Sequence, residues 1–379
     1  MANKAIKYRL YPTKEQEVVF AKTFGCCRKV YNLMLADKIR SYQNTGLFAS
    51  FTPAMYKEEH PYLREVDSLA LANKQLDLQK AFQNCFSKKR KKRNGFPKFK
   101  SAKRSKKSYT TNNQKGSVAI SGNAIKLPKV GSVRAVIHRL PEESWKLKSA
   151  TISMDSAGKY YASILFEYTL EVVGHITNVA NAIGLDYASD GLYIDSNGNT
   201  GSNHKFYRDS HDKLAKEQRR LSRKKGSSKG EVKSKNYLKQ LLKVNRIHRH
   251  IANQRSDHLH KLSTEIANQY DVVCVEDLDM KSMSNKGFGN GKATMDNGYG
   301  MFLNMLEYKL SERGKHLVKV GKWYPSSQIC HCCGHQNHLL KDLSIRKWIC
   351  PKCGKSHERD VNAAVNILGE GLRLQKEAT

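Results

Sequence analysis

Four cysteines in two Cys-x2-Cys pairs constrain the fold of this chain more than any other feature. Cys330 pairs with Cys333 and Cys350 with Cys353, with sixteen residues between the pairs. Each pair forms a tight knuckle, and two knuckles can offer four sulfurs to one tetrahedral Zn²⁺ at about 2.3 Å. The spacing falls within the zinc-ribbon pattern. We therefore predict a structural zinc site, with Cys332, which breaks the spacing, as a bystander.

The alternative is a disulfide pair in a secreted chain, or thiols that hold no metal. The first seven residues lack the apolar run of a signal peptide, which disfavours secretion. Four further cysteines lie in apolar surroundings and are predicted to be buried thiols, which favours a reducing cytoplasm. They are Cys26, Cys27, Cys85 and Cys274.

The charge of the chain indicates its partner. It has 67 Lys and Arg against 34 Asp and Glu, a formal net charge of +33. A field of this strength attracts a polyanion. An anionic membrane surface is the alternative, but no apolar stretch reaches the roughly 18 residues of a membrane span, and the charge is spread along the chain. Nucleic acid is therefore the predicted partner.

The length favours two or three domains, and the N-terminal half is predicted to combine a β-sheet with inserted helices. Residues 6–11 alternate like a strand, Thr13 and Gln16 match a capping box, and helical spacing covers residues 17–42 and 69–86. Residues 108–168 then show period-two runs separated by turn residues. The first strand should join that sheet, so the helices would interrupt it.

A basic block lies between these helices and strands. Residues 88–107 contain twelve Lys or Arg, interleaved with Phe96 and Phe99. Basic side chains with aromatic ones suit a surface that tracks a nucleic-acid backbone and stacks on bases. The alternative is a solvated basic loop.

The C-terminal half has the pattern of an α/β region. Apolar strands are predicted at residues 182–186, 192–195, 271–276 and 316–320. A basic helical stretch at 213–270 is interrupted at 226–230, and residues 287–300 are predicted to be a glycine-rich loop. Further helices are expected at 301–313 and from 361 to about 368.

Three carboxylates stand out in this half. Asp186 and Glu276 each end an apolar strand, and Asp360 opens the last helix. Strand ends and a helix start are where an α/β sheet gathers functional groups, and converging carboxylates can hold a pair of Mg²⁺ ions for phosphodiester hydrolysis. Each also has a structural reading: Asp186 could initiate a turn, Asp277 or Asp279 could replace Glu276, and Asp360 could be a helix N-cap.

Several motifs together resemble the TnpB family, the RNA-guided nucleases of bacterial insertion sequences that are related to the miniature type V CRISPR effectors. The resemblance covers most of the chain and is most specific from Gly184 to Leu368. The motifs are Gly184-x-Asp186, Val275-Glu276-Asp277-Leu278, Trp323-x-Pro325-Ser326-Ser327, the two Cys-x2-Cys pairs with Trp348 between them, Arg359-Asp360-x-Asn362-Ala-Ala, Tyr8-Arg-Leu-Tyr-Pro-Thr13-x-x-Gln16 and Phe96-Pro-Lys-Phe99-Lys.

The resemblance implies a multidomain α/β fold. Residues 1–13 and 101–178 would form a wedge β-barrel, and residues 14–100 an inserted helical recognition domain. Residues 179–379 would form a RuvC-like nuclease domain of RNase H fold, with residues 325–357 inserted as the zinc ribbon.

The resemblance also implies roles. Asp186, Glu276 and Asp360 resemble the RuvC catalytic triad that binds Mg²⁺, with the nearby Asp190 as a further acidic candidate. Cys330, Cys333, Cys350 and Cys353 resemble the zinc ligands. A guide RNA would direct cleavage of double-stranded target DNA next to a short motif, in association with transposition. The polar face of residues 69–86, including Gln75 and Gln79, and the segment Tyr109–Asn112 are candidates for reading that motif.

Three other readings are open to the sequence. A nuclease-dead guided repressor should have lost a triad carboxylate, yet all three are present. A transposase with a His-hydrophobic-His metal site would use His258 and His260, but residues 253–270 have helical spacing, and histidines two apart on a helix point away from each other. A zinc-ribbon nucleic-acid-binding protein without catalysis is the third reading.

Overall fold

The chain divides into two compact units, each described here by itself. The computed structural model describes residues 2–87, 95–169, 181–202, 204–228, 230–285, 291–342 and 344–378. The N-terminal unit is Met1–Glu171 and the C-terminal unit is Val172–Thr379. Within the described residues, no helix combines the length and the apolar character needed to cross a bilayer.

The N-terminal unit is built on a seven-stranded antiparallel sheet. Its strands are β1 (Ala2–Tyr11), β2 (Lys107–Asn112), β3 (Ala119–Ser121), β4 (Ala124–Leu127), β5 (Gly131–Val136), β6 (Lys146–Met154) and β7 (Tyr160–Tyr168). Their order is β2-β6-β7-β1-β5-β4-β3, so β1 pairs with β5 and β7, as predicted. Alternate side chains of β1 are buried, because successive residues of a strand face opposite sides of a sheet.

Two long helices interrupt this sheet in sequence. They are α1 (Lys14–Thr45) and α2 (Ser68–Phe86), with short 3-10 turns at Pro53–Tyr56 and Pro61–Arg64 between them. The predicted capping box is confirmed, because Thr13 accepts from the Gln16 amide and the Gln16 side chain accepts from the Thr13 amide. The rings of Phe20 and Phe24 pack against Tyr109, with centroids 6.4 and 5.8 Å away, and so join α1 to the sheet.

The C-terminal unit has a mixed four-stranded sheet. The strands are β8 (Ala182–Tyr187), β9 (Tyr193–Asp195), β10 (Val272–Glu276) and β11 (His316–Val320), in the order β11-β10-β8-β9. Strands β8, β10 and β11 are parallel, and β9 returns antiparallel to β8. A separate two-stranded hairpin pairs β12 (Lys347–Ile349) with β13 (Ser356–Glu358).

The helices described in this unit are α3 (Phe206–Asp209), α4 (His211–Ser222), α5 (Lys235–Gln269), α6 (Met280–Met283), α7 (Gly291–Asn297), α8 (Tyr299–Ser311) and α9 (Arg359–Ala378). Of these, α5 and α8 pack on one face of the four-stranded sheet and α9 on the other. Leu185 and Val275 pack with side chains of α5 and α8, whereas Cys274 packs with Ile367 of α9 on the other face.

Two predicted boundaries in this unit are wrong. Part of the expected glycine-rich loop is helix α7, while residues 286–290 lie outside the described residues. The last helix extends ten residues beyond Leu368. Gly369 and Gly371 resemble a helix end in the sequence, but Gly371 serves packing: a Cβ there would lie 2.3 Å from the Cys274 sulfur.

Helix α9 also approaches β8 at Gly184, where a Cβ would lie 2.1 Å from the carbonyl oxygen of Ala364. We therefore expect Gly184→Ala to push the helix off the sheet and to lower the free energy of unfolding by about 1–3 kcal/mol. Gly369→Ala is the matched control, since a Cβ there meets open space and alanine favours a helix by up to about 1 kcal/mol. Chemical denaturation measures the stability of both variants, and equal denaturation midpoints would contradict the close packing of α9 on β8.

Candidate active site and metal centre

Strand register and side-chain alternation bring two of the predicted carboxylates together. Val275 of β10 lies opposite Leu185 of β8 in a parallel pair. Glu276 and Asp186 each follow one residue later, so their side chains leave neighbouring strands on the face that α9 covers. Asp360 is the second residue of α9, and this helix packs against β8. The three carboxylates predicted from the sequence therefore meet at the carboxyl ends of two parallel strands.

The electrostatics of Asp186 show the same convergence. Its pKa is raised well above the usual value, first by burial and then by the negative charges of Glu276 and Asp360. Burial likewise raises the pKa of Glu276. The charges of Glu276 and Asp360 thus act against the ionisation of Asp186. The three carboxylates are not among the groups of the described residues whose ligand atoms all lie within 4.8 Å of one another.

Glu276 and Asp360 each accept hydrogen bonds from a side chain that lies outside the strands. The Ser326 hydroxyl donates a hydrogen bond of 2.5 Å to Glu276 Oε1, which acts to lower the pKa of that carboxyl against the effect of burial. Arg346 Nη1 donates to both carboxylate oxygens of Asp360, at 3.2 and 3.3 Å. Sequence reasoning missed both roles, because Ser326 and Arg346 lie 50 and 14 residues from their partners.

The neighbouring acidic residues have different positions. Asp190, Asp277 and Asp279 are exposed, whereas Asp186 and Glu276 are partly buried. Asp360 lies inside the first turn of α9, so its reading as an N-cap is wrong. The alternative metal pair His258 and His260 is also disfavoured: His258 contacts the Ser202 carbonyl at 2.9 Å, while the backbone carbonyl of His260 accepts from Lys309.

The four predicted cysteine thiols converge on one point. All four sulfurs lie within 4.8 Å of one another. The Cys330–Cys353 and Cys333–Cys350 sulfur distances are 3.7 and 3.6 Å. A tetrahedron with metal–sulfur bonds of about 2.3 Å has edges of about 3.8 Å, so the thiols fit one Zn²⁺.

The pKa values of two of the thiols are shifted in opposite directions. Burial acts to raise the pKa of Cys350, but the backbone amides of Cys353 and Lys352 donate hydrogen bonds to its sulfur, and the pKa falls to about 7. The His335 backbone acts to lower the pKa of Cys333, but burial and hydrogen bonds with Cys350, Cys353 and Cys330 raise it to about 12. The thiolate is the metal ligand, so Cys350 is the more readily prepared of the two, and Cys333 would release its proton when a metal binds.

A histidine adjoins this cluster. His357 Nε2 lies 3.1 Å from the Cys330 sulfur, and Cys330, Cys332 and His357 form an overlapping group of ligand atoms. Exposure does not separate the two sets, because Cys332 and Cys353 are both exposed. The four-cysteine set, however, supplies all four ligands of a tetrahedral ion, whereas the overlapping group supplies three. The geometry therefore favours the four-cysteine set, with His357 as a hydrogen-bond partner of Cys330.

Amide side chains of α9 attach the ribbon to the carboxylate site. Asn362 Oδ1 accepts from the His331 amide at 3.1 Å, and its Nδ2 donates to the Ile329 carbonyl at 2.7 Å. Asn366, one turn later, donates to the carbonyls of Ser326 and Ile329 at 2.7 and 2.6 Å. The spacing of two asparagines on one helix face was the sequence signal for this contact.

The N-terminal unit contributes a basic pocket, part of which comes from the predicted basic block. Its cavity has a volume of about 340 Å³, and its lining includes Arg28, Lys74, Asp77, Lys100, Lys106 and Lys107. Lys74 is buried and pairs with Asp77 at 2.6 Å. Burial, and then the charge of Lys74, lower the pKa of Lys100. Excess positive charge in a partly desolvated pocket favours an anion such as phosphate.

The residues of this unit that were predicted to contact nucleic acid differ in how exposed they are. Residues 88–94 of the basic block lie outside the described residues. Phe99 is exposed, while the ring of Phe96 packs edge-on against Phe82 at 5.3 Å. Gln79 is exposed on α2 and Gln75 is half-buried.

Two residues of the segment proposed to read the DNA motif are unsuited to that role. Tyr109 and Thr111 are buried in the sheet core, because alternate residues of β2 face inward. The prediction that the segment Tyr109–Asn112 reads bases is therefore wrong for these two side chains.

Family profiles match three parts of the chain. Residues 299–367, which contain the ribbon, match a Cas12f1-like TNB domain. Residues 166–287 match a profile described as "Probable transposase". Residues 1–46 match a helix-turn-helix domain, although in this structure they form strand β1 and the single long helix α1.

A solved structure shares the fold. Cas12f1, in a complex with sgRNA and target DNA, superposes with a TM-score of 0.59 at 15% identity, covering 97% of this chain and 98% of that chain. The chain thus has a Cas12f-like multidomain α/β fold.

Two relatives match nearly the full length. A protein of Streptomyces pristinaespiralis named "Putative RNA-guided DNA endonuclease" is 35% identical, over 99% of this chain and 93% of that protein. InsQ of Escherichia coli K12, with the same description, is 31% identical over 97% of this chain and 92% of that protein. A TnpB-like protein of Acanthamoeba polyphaga mimivirus is 30% identical over 34% of this chain. With this identity over nearly the whole length of its relatives, and with the transposase profile in its centre, the chain belongs to the TnpB family.

Proposed function

We propose that this protein is an RNA-guided DNA endonuclease whose hydrolytic centre is Asp186, Glu276 and Asp360. The observation that carries the proposal is the convergence of these three carboxylates: burial first, and then the charges of Glu276 and Asp360, raise the pKa of Asp186. The full-length relatives named as RNA-guided DNA endonucleases support it.

The three carboxylates would hold a pair of Mg²⁺ ions. Their hard oxygen ligands suit this cation, which when bound activates water and stabilises the leaving oxygen of a phosphodiester. The protein's own part is positional: β8, β10 and α9 fix the three carboxylates, and Ser326 orients Glu276 through its hydrogen bond. Arg346, whose side chain is 67% exposed beside Asp360, can contact the phosphate of a strand that enters the site.

We further propose the domain assignments that the resemblance implies. The C-terminal unit would be a RuvC-like domain of RNase H fold, a reading supported by its β8–β9 hairpin followed by the parallel strands β10 and β11. The antiparallel sheet of the N-terminal unit would be the wedge domain, with α1 and α2 in the recognition domain. Zn²⁺ would be held by Cys330, Cys333, Cys350 and Cys353 and would fold the ribbon.

The positive charge would serve the nucleic acids. A net charge of +33 must repel itself unless a polyanion neutralises it. Guide RNA and target DNA would supply that polyanion, and pairing between them would supply the sequence specificity. The basic pocket beside Lys74 and the exposed basic face of α4 and α5 would contact phosphates.

The experiment that tests this proposal is reconstitution. We expect the protein loaded with the RNA that co-purifies from its host to cut a plasmid carrying the matching sequence in Mg²⁺, and the RNA-free protein to leave it intact. Equal sequence-specific cutting without RNA would refute guidance, and RNA-dependent binding without cutting would indicate a guided repressor.

A salt titration of the same complex tests the phosphate contacts. The logarithm of the affinity should fall linearly with the logarithm of salt concentration, with a slope of roughly −0.7 to −0.9 per phosphate neutralised. An affinity that is independent of salt would exclude a backbone-tracking surface.

A further inference from the structure

An exposed tryptophan lies at the edge of the carboxylate site. Trp323 is 87% exposed, more than any other aromatic side chain that the structure describes. The chain has three tryptophans, and the other two are shielded: Trp348 is buried in the ribbon core and Trp145 is half-buried. A single exposed apolar side chain needs no explanation by itself, so the position of Trp323 decides what its indole can do.

The backbone holds Trp323 close to Glu276 from two directions. Val320, the last residue of β11, lies opposite Glu276 in the parallel pair and accepts a hydrogen bond from the Asp277 amide at 3.0 Å. The Ser326 hydroxyl donates to Glu276 Oε1 at 2.5 Å. Trp323 is three residues from Val320 and from Ser326, and three residues of extended chain span at most about 11 Å. The indole is therefore attached at the same edge of the sheet as the carboxylates.

The segment that carries the indole is fixed to the fold. The Tyr324 amide donates to the Gly321 carbonyl at 2.9 Å and closes a turn around Trp323. The Tyr324 side chain packs against the buried cluster of β10, β11 and α9 that includes Ile367. One aromatic side chain of the turn is thus anchored while the preceding one stays in solvent. A ligand that covers Trp323 does not have to order this segment first, which lowers the cost of binding.

The charges near the indole favour a nucleic acid as that ligand. Lys322 Nζ lies over the face of the Trp323 ring, 5.0 Å from its centroid. Arg346, beside Asp360, has a side chain that is 67% exposed. Aromatic rings with cations beside them are the usual arrangement for a single strand, in which the rings stack on bases and the charges contact phosphates.

The indole can stack only on a base whose own face is free. In a duplex the neighbouring bases cover both faces of each base, whereas a base of a separated strand can leave the stack. A span of about 11 Å corresponds to about three nucleotides at the 3.4 Å rise of one strand. A base that contacts Trp323 therefore lies within about three nucleotides of a phosphate held at the carboxylates.

We propose that Trp323 stacks on an unpaired base of the DNA strand that the carboxylates cleave, and so positions the phosphate that is cut. The proposal rests on the proposed function, because it assigns a substrate contact to the same site. A base of the guide RNA would offer the same stacking surface, and the second measurement below distinguishes the two sources.

The first test removes the indole and the base in turn. The bond that the wild-type, RNA-loaded protein cuts is mapped, and targets are made with one abasic position, up to three nucleotides to either side of it. Single-turnover cutting rates are measured for the wild type, Trp323→Ala and Trp323→Phe. Leu339→Ala is the matched control, because Leu339 is a 76% exposed apolar side chain of the neighbouring ribbon. Replacement of such exposed side chains should leave folding intact.

We expect Trp323→Ala to slow cutting of the intact target about tenfold, Trp323→Phe to keep most of the rate, and Leu339→Ala to cut like the wild type. At one abasic position the wild type should slow by a similar factor and Trp323→Ala should not slow further, because the two changes remove the same contact. A structural role for Trp323 would instead leave the variant as sensitive to the abasic position as the wild type. That result, wild-type cutting by Trp323→Ala, or a wild type that no abasic position slows, would overturn the proposal.

A second measurement needs no cleavage. Tryptophan fluorescence of the RNA-loaded protein is recorded with Ca²⁺ in place of Mg²⁺ as single strands of twelve units are added, and the signal of Trp323→Phe is subtracted to isolate that of Trp323. We expect oligothymidylate to quench the isolated signal and a strand of abasic spacers to leave it unchanged. A signal that RNA loading alone quenches would assign the base to the guide, and a signal that no strand quenches would exclude the contact; either result would overturn the proposal. A protein that never cuts DNA can still show the quenching, so failure of this contact and failure of the proposed function remain distinguishable.

Discussion

Asp186→Asn should slow the cutting of target DNA by at least about 10³-fold and at the same time raise the temperature at which the metal-free protein unfolds. The loss follows because a metal-held carboxylate contributes several kcal/mol to the chemical step, and about 1.4 kcal/mol corresponds to a factor of ten in rate. The rise in unfolding temperature follows because burial, and then the charges of Glu276 and Asp360, raise the pKa of Asp186. Its ionised form is therefore disfavoured in the folded protein. Single-turnover cleavage and thermal unfolding measure the two effects.

The sign of the pH dependence provides an independent check. A raised pKa means that the folded protein binds more protons than the unfolded chain between the usual value of 3.8 and the raised one. The free energy of unfolding of the metal-free protein should therefore fall as pH rises through that window. Asp186→Asn should flatten this dependence, and added Mg²⁺ should oppose it by favouring the ionised carboxylates.

Matched variants separate chemistry from folding in this experiment. Glu276→Gln and Asp360→Asn should lose cleavage to a similar extent and keep RNA and DNA binding, since the basic surfaces provide affinity. Asp190→Asn is the control, because Asp190 is exposed. Near wild-type cutting by Asp360→Asn would remove Asp360 from the site, and loss with Asp190→Asn would add Asp190 to it.

Cys350→Ser should abolish zinc binding and unfold the ribbon. The four sulfurs lie within 4.8 Å of one another, with spacings that match a tetrahedral ion. Structural zinc contributes about 10–16 kcal/mol in small modules of this kind, far more than the few buried side chains of the ribbon core can replace. Elemental analysis should give one Zn²⁺ per chain for the wild type and none for the variant.

Cys332→Ser is the control for this assignment, since Cys332 is exposed and belongs to the overlapping group with Cys330 and His357. It should keep its zinc and its cleavage activity. Full zinc content in Cys350→Ser, or loss of zinc in Cys332→Ser, would instead favour the group that contains His357.

The parts of the site that the sequence predicted are those fixed by local spacing. A Cys-x2-Cys knuckle needs only four consecutive residues, and an apolar run that ends in a carboxylate indicates a strand end without knowledge of its neighbours. The strands β8 and β10 then bring Asp186 and Glu276 together by register alone. These features depend on short segments, so the sequence predicts them without knowledge of the fold.

The features that the sequence did not predict depend on contacts between distant segments. Gly371 resembles a helix end until the sulfur of Cys274 is seen to occupy the space beside it. Tyr109 resembles an exposed aromatic until the strand alternation buries it. The hydrogen bonds of Ser326 and Arg346 to the carboxylates follow only from the position of the ribbon relative to β10 and α9.

The attachment of the ribbon to α9 limits how this nuclease can be shortened or rebuilt. Asn362 and Asn366 bond the backbone at Ile329, and Ser326 and Arg346 reach two of the three carboxylates. A deletion or an exchange of residues 325–357 would therefore remove partners of the proposed hydrolytic centre as well as a peripheral loop. If that centre cuts DNA as proposed, a host starved of zinc should lose the cutting for the same reason, which would tie the activity to the metal nutrition of the cell.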